Sequence, residues 1–378
     1  MRLPFPVVLV APNEEEYRRS SRLSAGATMP PSTTHQQARV MFKIIGSATL
    51  GAVVTAAAFV LNGLFASAPH SSLASPAASA AGDRMKQEMT PYVAELISAD
   101  IQRRREIIDS VFFAPRIKTA RERFDVTERA ETMNGVYVEV FEPAAGVSVQ
   151  HQRRVLINLH GGGFSMGART EGRLESIPVA ATAGMRVISV DYRQGPEYQF
   201  PAASEDVASV YQHLLSAYAP ENIGIFGCSA GGMLTAQAIA WFDAHQLPQP
   251  GAIGIFCAGA GRVDEGDSVT IADHFGTNLG GGPIEYFAQA RWDDPLVAPV
   301  NHPAVLAHFP DTLIISSTRD FAMSAALHTH YQLVAQGVPS ELHIYEGLRH
   351  YFFADTELPE SQHAFDVMAR FFDRHLGG

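Results

Sequence analysis

From Val136 onward the chain alternates short apolar runs with amphipathic helical stretches, and that alternation leaves few folds open. The runs are VYVEVFEP (136–143), VLINLH (155–160), RVISVDY (186–192), IGIFG (223–227), IGIFCA (253–258), TLIISS (312–317) and LHIYE (342–346). Helical patterns at 203–218, 229–245, 324–336 and 361–375 separate or follow them. Strands that are apolar on both faces need cover on both faces, and strands alternating with helices pair in parallel. The expected class is therefore α/β, a mostly parallel central sheet covered by helices on both faces. With 46% hydrophobic residues in 378, the chain can build one large core. Residues 261–290 break the rhythm: they are rich in glycine, carry no strand pattern and are expected to insert over the C-terminal edge of the sheet.

The first eighty residues read differently. Residues 44–68, IIGSATLGAVVTAAAFVLNGLFASA, form a long charge-free apolar stretch preceded by Arg39 and Lys43. Small-residue cleavage sites follow at 66–68 and 78–80, the pattern of an export signal. The stretch is longer than an ordinary signal core, which leaves membrane anchoring through 44–68 as the alternative. Met41 begins a better signal than Met1, so residues 1–40 read as a non-native upstream extension. Residues 41–82 then form a signal peptide or anchor plus an Ala/Ser/Pro-rich linker from about Ser71 to Gly82. Residues 83–378 form the folded domain, amphipathic and helical as far as about Asp125, and a chain starting near Ala81 is expected to carry the whole core. The expected location is periplasmic or secreted, and membrane-bound if the anchor stays uncleaved.

Charge and cysteine content exclude several partners. Lys and Arg total 28 against 39 Asp and Glu, a net charge of −11, so nothing in the charge suggests a nucleic-acid partner. The only lysines are Lys43, Lys86 and Lys118; with abundant arginine and alanine, this fits a GC-rich bacterial genome. Two cysteines, Cys228 and Cys257, make no disulfide framework, and each ends an apolar run where a buried free thiol is expected.

One corner carries the chemistry. NIGIFGCSAGG (222–232) reads as a strand, a glycine-rich turn and a helix start. Such a corner can cradle a phosphate on the helix N-terminus or lift a nucleophile clear of the backbone. A dinucleotide site needs an acid at the end of the next strand, where this chain has IFCAG, and Gly224, Gly227 and Gly231 miss the G-x-G-x-x-G spacing. The nucleophile reading finds its partners. GCSAG fits G-x-S-x-G with Ser229 at the apex. HGGGF (160–164) follows the strand VLINL and offers backbone N–H groups unshielded by any Cβ. Asp320 follows TLIISS and His350 follows LHIYE, so Ser, Asp and His occur in the chain order of an α/β-hydrolase triad.

These motifs, with DYRQGPEYQFPAASEDV (191–207), GCSAGG, DDPLVAP (293–299), TRD and RHYF in that order, resemble the bacterial hormone-sensitive-lipase-like branch of the α/β-hydrolases over about residues 85–376. The resemblance implies a serine carboxylesterase with a small helical cap, built from 83–125 and part of 261–290. It implies Ser229 as nucleophile, His350 as base and Asp320 as its orienting acid. Gly161, Gly162, Gly163 and Ala230 would form the oxyanion hole, with His160 bonding the loop and Cys228 beside the nucleophile in support. The family commonly has Asp or Thr where Cys228 stands, and often a second acid where Ser324 stands. Arg193 and Glu197 are expected to brace the core beneath the site. Phe112, Phe113, Phe275 and Phe287 are expected to roof a pocket for short acyl or aryl esters. His328 and His330 lie two apart on a helix and cannot share a metal-binding face, so neither metal nor cofactor is expected. A homodimer is left open, and a non-catalytic small-molecule binding protein of the same fold is the alternative function.

Overall fold

A computed structural model describes residues 70–276 and 284–377; the upstream extension, the 44–68 signal or anchor and residues 277–283 lie outside the described residues. The sheet has eight strands: β1 (Val126–Met133), β2 (Val136–Pro143), β3 (Val155–Leu159), β4 (Arg186–Val190), β5 (Ile223–Cys228), β6 (Ala252–Phe256), β7 (Asp311–Arg319) and β8 (Ser340–Arg349). Their order is β1-β2-β4-β3-β5-β6-β7-β8. The β1–β2 and β2–β4 pairs are antiparallel, and every pair from β4–β3 to β7–β8 is parallel.

The helices are α1 (Pro76–Met89), α2 (Val93–Ser98), α3 (Ile101–Ile107), α4 (Ala114–Arg123), α5 (Glu171–Ala183), α6 (Ala202–Leu214), α7 (Ala230–Ala244), α8 (Asp267–Phe275), α9 (Pro303–Leu306), α10 (Met323–Ala335) and α11 (Pro359–His375). A π-helical turn, Ile108–Phe113, joins α3 to α4. One apolar cluster joins a face of the sheet to α6, α7 and α10. The other joins the opposite face to α5, α11, α4 and the start of α1. β3, β5 and β6 are buried along their whole length, which is why they read as unbroken apolar runs.

Three elements depart from the sequence reading. The stretch 71–82 is no free linker, because α1 begins inside it. Ser75 caps the helix, its Oγ accepting from Ala78 N–H at 3.0 Å, and Pro76 occupies the first turn, where its missing N–H costs nothing. Ser75 also bonds Glu360 through its N–H at 2.8 Å and its hydroxyl at 3.0 Å, while Ala78 and Ala81 are buried in the core. A chain starting at Ala81 would lack the cap and the first turn of this helix. β1 was not anticipated because it is an edge strand, charged and mostly exposed, with no apolar alternation. The insertion at 261–290 holds a helix, α8, which the sequence pattern had not located.

Two arginines, Arg105 and Arg116, are among the residues that tie the helical arm at 83–125 to the body. Arg105 donates to Ser165 O at 2.7 Å and Gly195 O at 2.9 Å, and pairs with both oxygens of Glu197. Arg116, buried, bonds Asp355 at 3.1 Å, and Asp355 in turn accepts from Arg349 at 2.8 Å, next to His350.

Candidate active site

The site lies at the C-terminal ends of β5 to β8, where an α/β sheet presents its loops. Ser229 stands between β5 and α7 with φ 56° and ψ −121°, a backbone conformation an L-residue adopts only when its surroundings impose it. The imposition comes from its neighbours. A Cβ on Gly227 or Gly231 would collide with the carbonyl oxygen of Leu159, so only glycine at both positions lets the corner press against the end of β3. Ser229 N–H donates to Phe256 O at 2.8 Å, which fixes the corner to β6. The serine is partly exposed, whereas its neighbours Cys228 and Ala230 are buried.

Asp320 and His350 meet directly: His350 Nδ1 and Asp320 Oδ1 are 2.7 Å apart. Asp320 also accepts from Ala322 N–H at 2.9 Å and from the Ser316 hydroxyl at 2.8 Å. Burial alone would raise this carboxyl, yet the charge and hydrogen bond of His350, with those two donors, hold it below the usual carboxylate range. Nδ1 must therefore be the donor, which leaves Nε2 free for proton transfer. The His350 ring stacks on Phe321 at 4.4 Å.

Cys257 connects this pair to the serine. It follows Phe256, the residue that anchors Ser229, and its Sγ lies within 4.8 Å of the Asp320 carboxylate and the His350 ring nitrogen. Sγ accepts from Tyr351 N–H at 3.4 Å, bracing the turn after His350. These three could meet a metal by distance alone. Three donors already occupy Asp320, and burial raises the Cys257 thiol, keeping it protonated and a poor ligand. Burial likewise pushes the Cys228 thiol up, and its hydrogen bond with Cys257 adds to the effect. Cys228 is thus a packed thiol facing away from the serine's opening.

The HGGG loop takes its shape from residues sequence reading had partly identified. Gly162 and Gly163 have φ values of 89° and 61°. Phe164 closes the loop, stacked on Tyr286 at 4.8 Å and edge-on to Phe287 at 4.9 Å. His160 is buried and stacked on Tyr192 at 4.2 Å; burial pushes it down to about 4, so it is neutral, and Nδ1 donates to Gly161 O at 2.9 Å. Tyr192 OH donates to His160 O at 2.6 Å.

Some expected positions turn out otherwise. Glu197 is exposed and bonds the arm through Arg105, so it does not brace a core beneath the site; Arg193 does brace the 191–207 segment, through Asp206 at 2.9 Å and Glu205 at 2.8 Å. The four roof phenylalanines divide among separate groups. Phe112 lies edge-on to Phe113 at 5.2 Å and under the Arg116 guanidinium, and Phe113 belongs to the cluster with α5 and α11. Phe275 lies under Arg319 at 4.4 Å, and only Phe287 packs against the HGGG loop. Ser324 exchanges bonds with Ser268 of α8: Ser268 N–H to Ser324 Oγ at 3.0 Å and Ser324 N–H to Ser268 Oγ at 2.9 Å. The small residue lets the insertion dock beside the Asp320 loop. Sequence reading missed Glu171 and Glu175, buried on α5 behind the HGGG loop. Their only signal was a pair of acids four apart, with Arg173 between them, at the head of an apolar run.

Comparison with known proteins agrees with this geometry. A model of the α/β-hydrolase fold family matches residues 156–354. The crystal structure of esterase E25 is 30% identical, with a TM-score of 0.69, covering 82% of this chain and 96% of that one. An acetyl-hydrolase of Streptomyces hygroscopicus is 27% identical over 225 residues, 58% of this chain and 75% of that protein. LipR of Mycobacterium tuberculosis is 38% identical over 122 residues, and the chain spans 39% of that relative's length. A family match over more than half of the sequence, a strained serine corner and an Asp–His pair at the strand ends lead to one assignment: the chain belongs to the α/β-hydrolase fold family.

Proposed function

We propose that the protein is a serine carboxylesterase that cleaves short acyl or aryl esters through an acyl-enzyme. The observation that carries this reading is the Asp320–His350 hydrogen bond at 2.7 Å, beside a corner that holds Ser229 at φ 56°. Ser229 Oγ attacks the ester carbonyl as His350 Nε2 takes its proton. Asp320 holds the imidazole in the productive tautomer and stabilises the imidazolium. The tetrahedral oxyanion receives hydrogen bonds from the N–H groups of Gly162, Gly163 and Ala230, with Gly161 shaping the loop. Collapse expels the alcohol, which takes the proton from His350. A water molecule, deprotonated by His350, then frees the acid and restores Ser229. None of these steps draws on a metal or cofactor.

The relatives' names, esterase and acetyl-hydrolase, agree in chemistry with this reading. Residues 83–125 and part of 261–290 serve as the cap that restricts acyl length. Read as an export signal, residues 44–68 would deliver the enzyme to the periplasm or beyond, or hold it at the membrane if they stay uncleaved. Turnover of p-nitrophenyl butyrate by purified protein, compared with the hexadecanoate ester, tests both reaction and size preference. No turnover of either ester would refute the proposal.

A further inference from the structure

Behind the HGGG loop, α5 presents two buried carboxyls one turn apart, Glu171 and Glu175. Three backbone and side-chain donors converge on Glu175. Asn158 Nδ2 donates at 2.6 Å and Gly161 N–H at 3.3 Å, and the backbone of Cys228 also hydrogen-bonds it in favour of the charged form. Gly161 opens the HGGG loop, and Cys228 directly precedes Ser229. One carboxylate therefore touches both halves of the site from behind. The Glu171 carboxyl lies against the same loop. A Cβ on Gly161 would strike its Oε1, and a Cβ on Gly167 would come within 2.9 Å of its Oε2 and 3.1 Å of His160 Nδ1.

Two adjacent buried carboxyls cannot both be charged without large cost. The groups facing them are Asp109 from the π-turn, His160 and Tyr192 from the ends of β3 and β4, Cys228 from β5 and Tyr351 after β8. His160 is neutral and Asp109 adds repulsion, so this environment allows at most one charge on the pair. Burial, with repulsion from Glu171, raises Glu175 well above its usual value as well; the three donors oppose that rise, so the single charge the pair can carry is placed on Glu175.

Building on the esterase reading, we infer that Glu175 is a positioning residue that ties the Gly161 amide to the Cys228 amide, holding the oxyanion loop at its working distance from Ser229, and that the tie requires Glu171 to stay protonated. A second charge on Glu171 would push the two carboxyls apart and drag the loop with them. Burial, with repulsion from Asp109, raises Glu171 from its usual 4.5 to about 8. Because the folded-state value is raised, the protonated form stabilises the fold at low pH. That stability declines as pH rises from about 4.5 to about 8 and levels off beyond.

The test follows kcat and KM on p-nitrophenyl butyrate from pH 6 to 10, with thermal melts in the same buffers, for wild type, Glu175→Gln, Glu171→Gln and Glu171→Leu. Glu175→Gln should lower kcat by about 10- to 100-fold with KM changed less than about threefold, as a partial loss of oxyanion stabilisation would. Normalised to its own rate at pH 7, each Glu171 variant should lack the loss of kcat that wild type shows as pH passes about 8. Two results would overturn the inference: a wild-type alkaline limb retained in either Glu171 variant, or a Glu175→Gln effect confined to KM. The melts read the carboxyl pair without activity. Wild-type Tm should fall from pH 5 to 8 relative to Glu171→Gln, and parallel curves would contradict the shared proton. An enzyme inactive on every ester, yet with these melts, would fault the esterase reading and leave the carboxyl pair standing.

Discussion

His350 Nδ1 donates to Asp320 Oδ1 across 2.7 Å, and the same carboxylate is held in place by Ser316 and Ala322. An amide at 320 would keep the shape and reverse the polarity of that contact, fixing the wrong imidazole tautomer. Asp320→Asn should lower kcat by about 10⁴ with little change in fold. Asp294, of the DDPLVAP motif, caps its own loop by accepting from Leu296 N–H at 2.8 Å. Asp294→Asn should therefore leave kcat within about tenfold. Reversal of these two magnitudes in steady-state assays would move the acid to 294.

The cysteine beside the nucleophile should be replaceable. Cys228 is buried and its thiol is raised, so it supplies no thiolate near neutral pH. Cys228→Ser should keep activity within about tenfold, since one buried polar atom replaces another. Iodoacetamide should label the native enzyme slowly, with little inhibition. Rapid labelling accompanied by loss of turnover would show that the thiol reaches the pocket.

Truncation separates the two candidate cleavage points. A chain starting at about residue 70 keeps Ser75 and the whole of α1, and should match the full chain in Tm and activity. A chain starting at Ala81 loses the helix cap, worth about 1 kcal/mol, and the burial of Ala78. Its Tm should drop by several degrees on a melting curve. Equal melting of the two would mean that the Ser75–Glu360 contact and the first turn contribute nothing.

Arg105 tests the arm. Its fork reaches Ser165 O, Gly195 O and Glu197 together, which a lysine ammonium cannot do. Arg105→Lys should resemble Arg105→Ala, both reducing kcat/KM by about 3- to 30-fold through a loosened exit of the HGGG loop. Full rescue by lysine would reduce the contact to simple charge.

The parts of this fold that were legible in sequence share one property: their environment is uniform along the element. β3 and β5 are buried throughout and read as unbroken apolar runs, and the corner at Ser229 declares itself because only glycine fits at 227 and 231. β1 faces solvent and left no pattern. α5 is buried on nearly every side and contains Pro178, so it lacks the amphipathic period of a surface helix. With α5 unseen, Glu171 and Glu175 had no place behind the loop they support. The start of α1 hid in an Ala/Ser/Pro composition in which the cap and first turn look like linker. The pocket's aromatic wall was the least legible part, because Phe112, Phe113, Phe275 and Phe287 are distributed by tertiary packing that no local pattern encodes.

The central claim is that Ser229 is the nucleophile, and the covalent intermediate tests it most directly. Purified enzyme is inactivated with a p-nitrophenyl alkylphosphonate, digested, and the modified peptide is sequenced by mass spectrometry. The account predicts one phosphonyl group per chain, on Ser229, with release of one equivalent of p-nitrophenol and parallel loss of esterase activity. An adduct on Cys228 or any other residue, or inactivation without an adduct on Ser229, would contradict it.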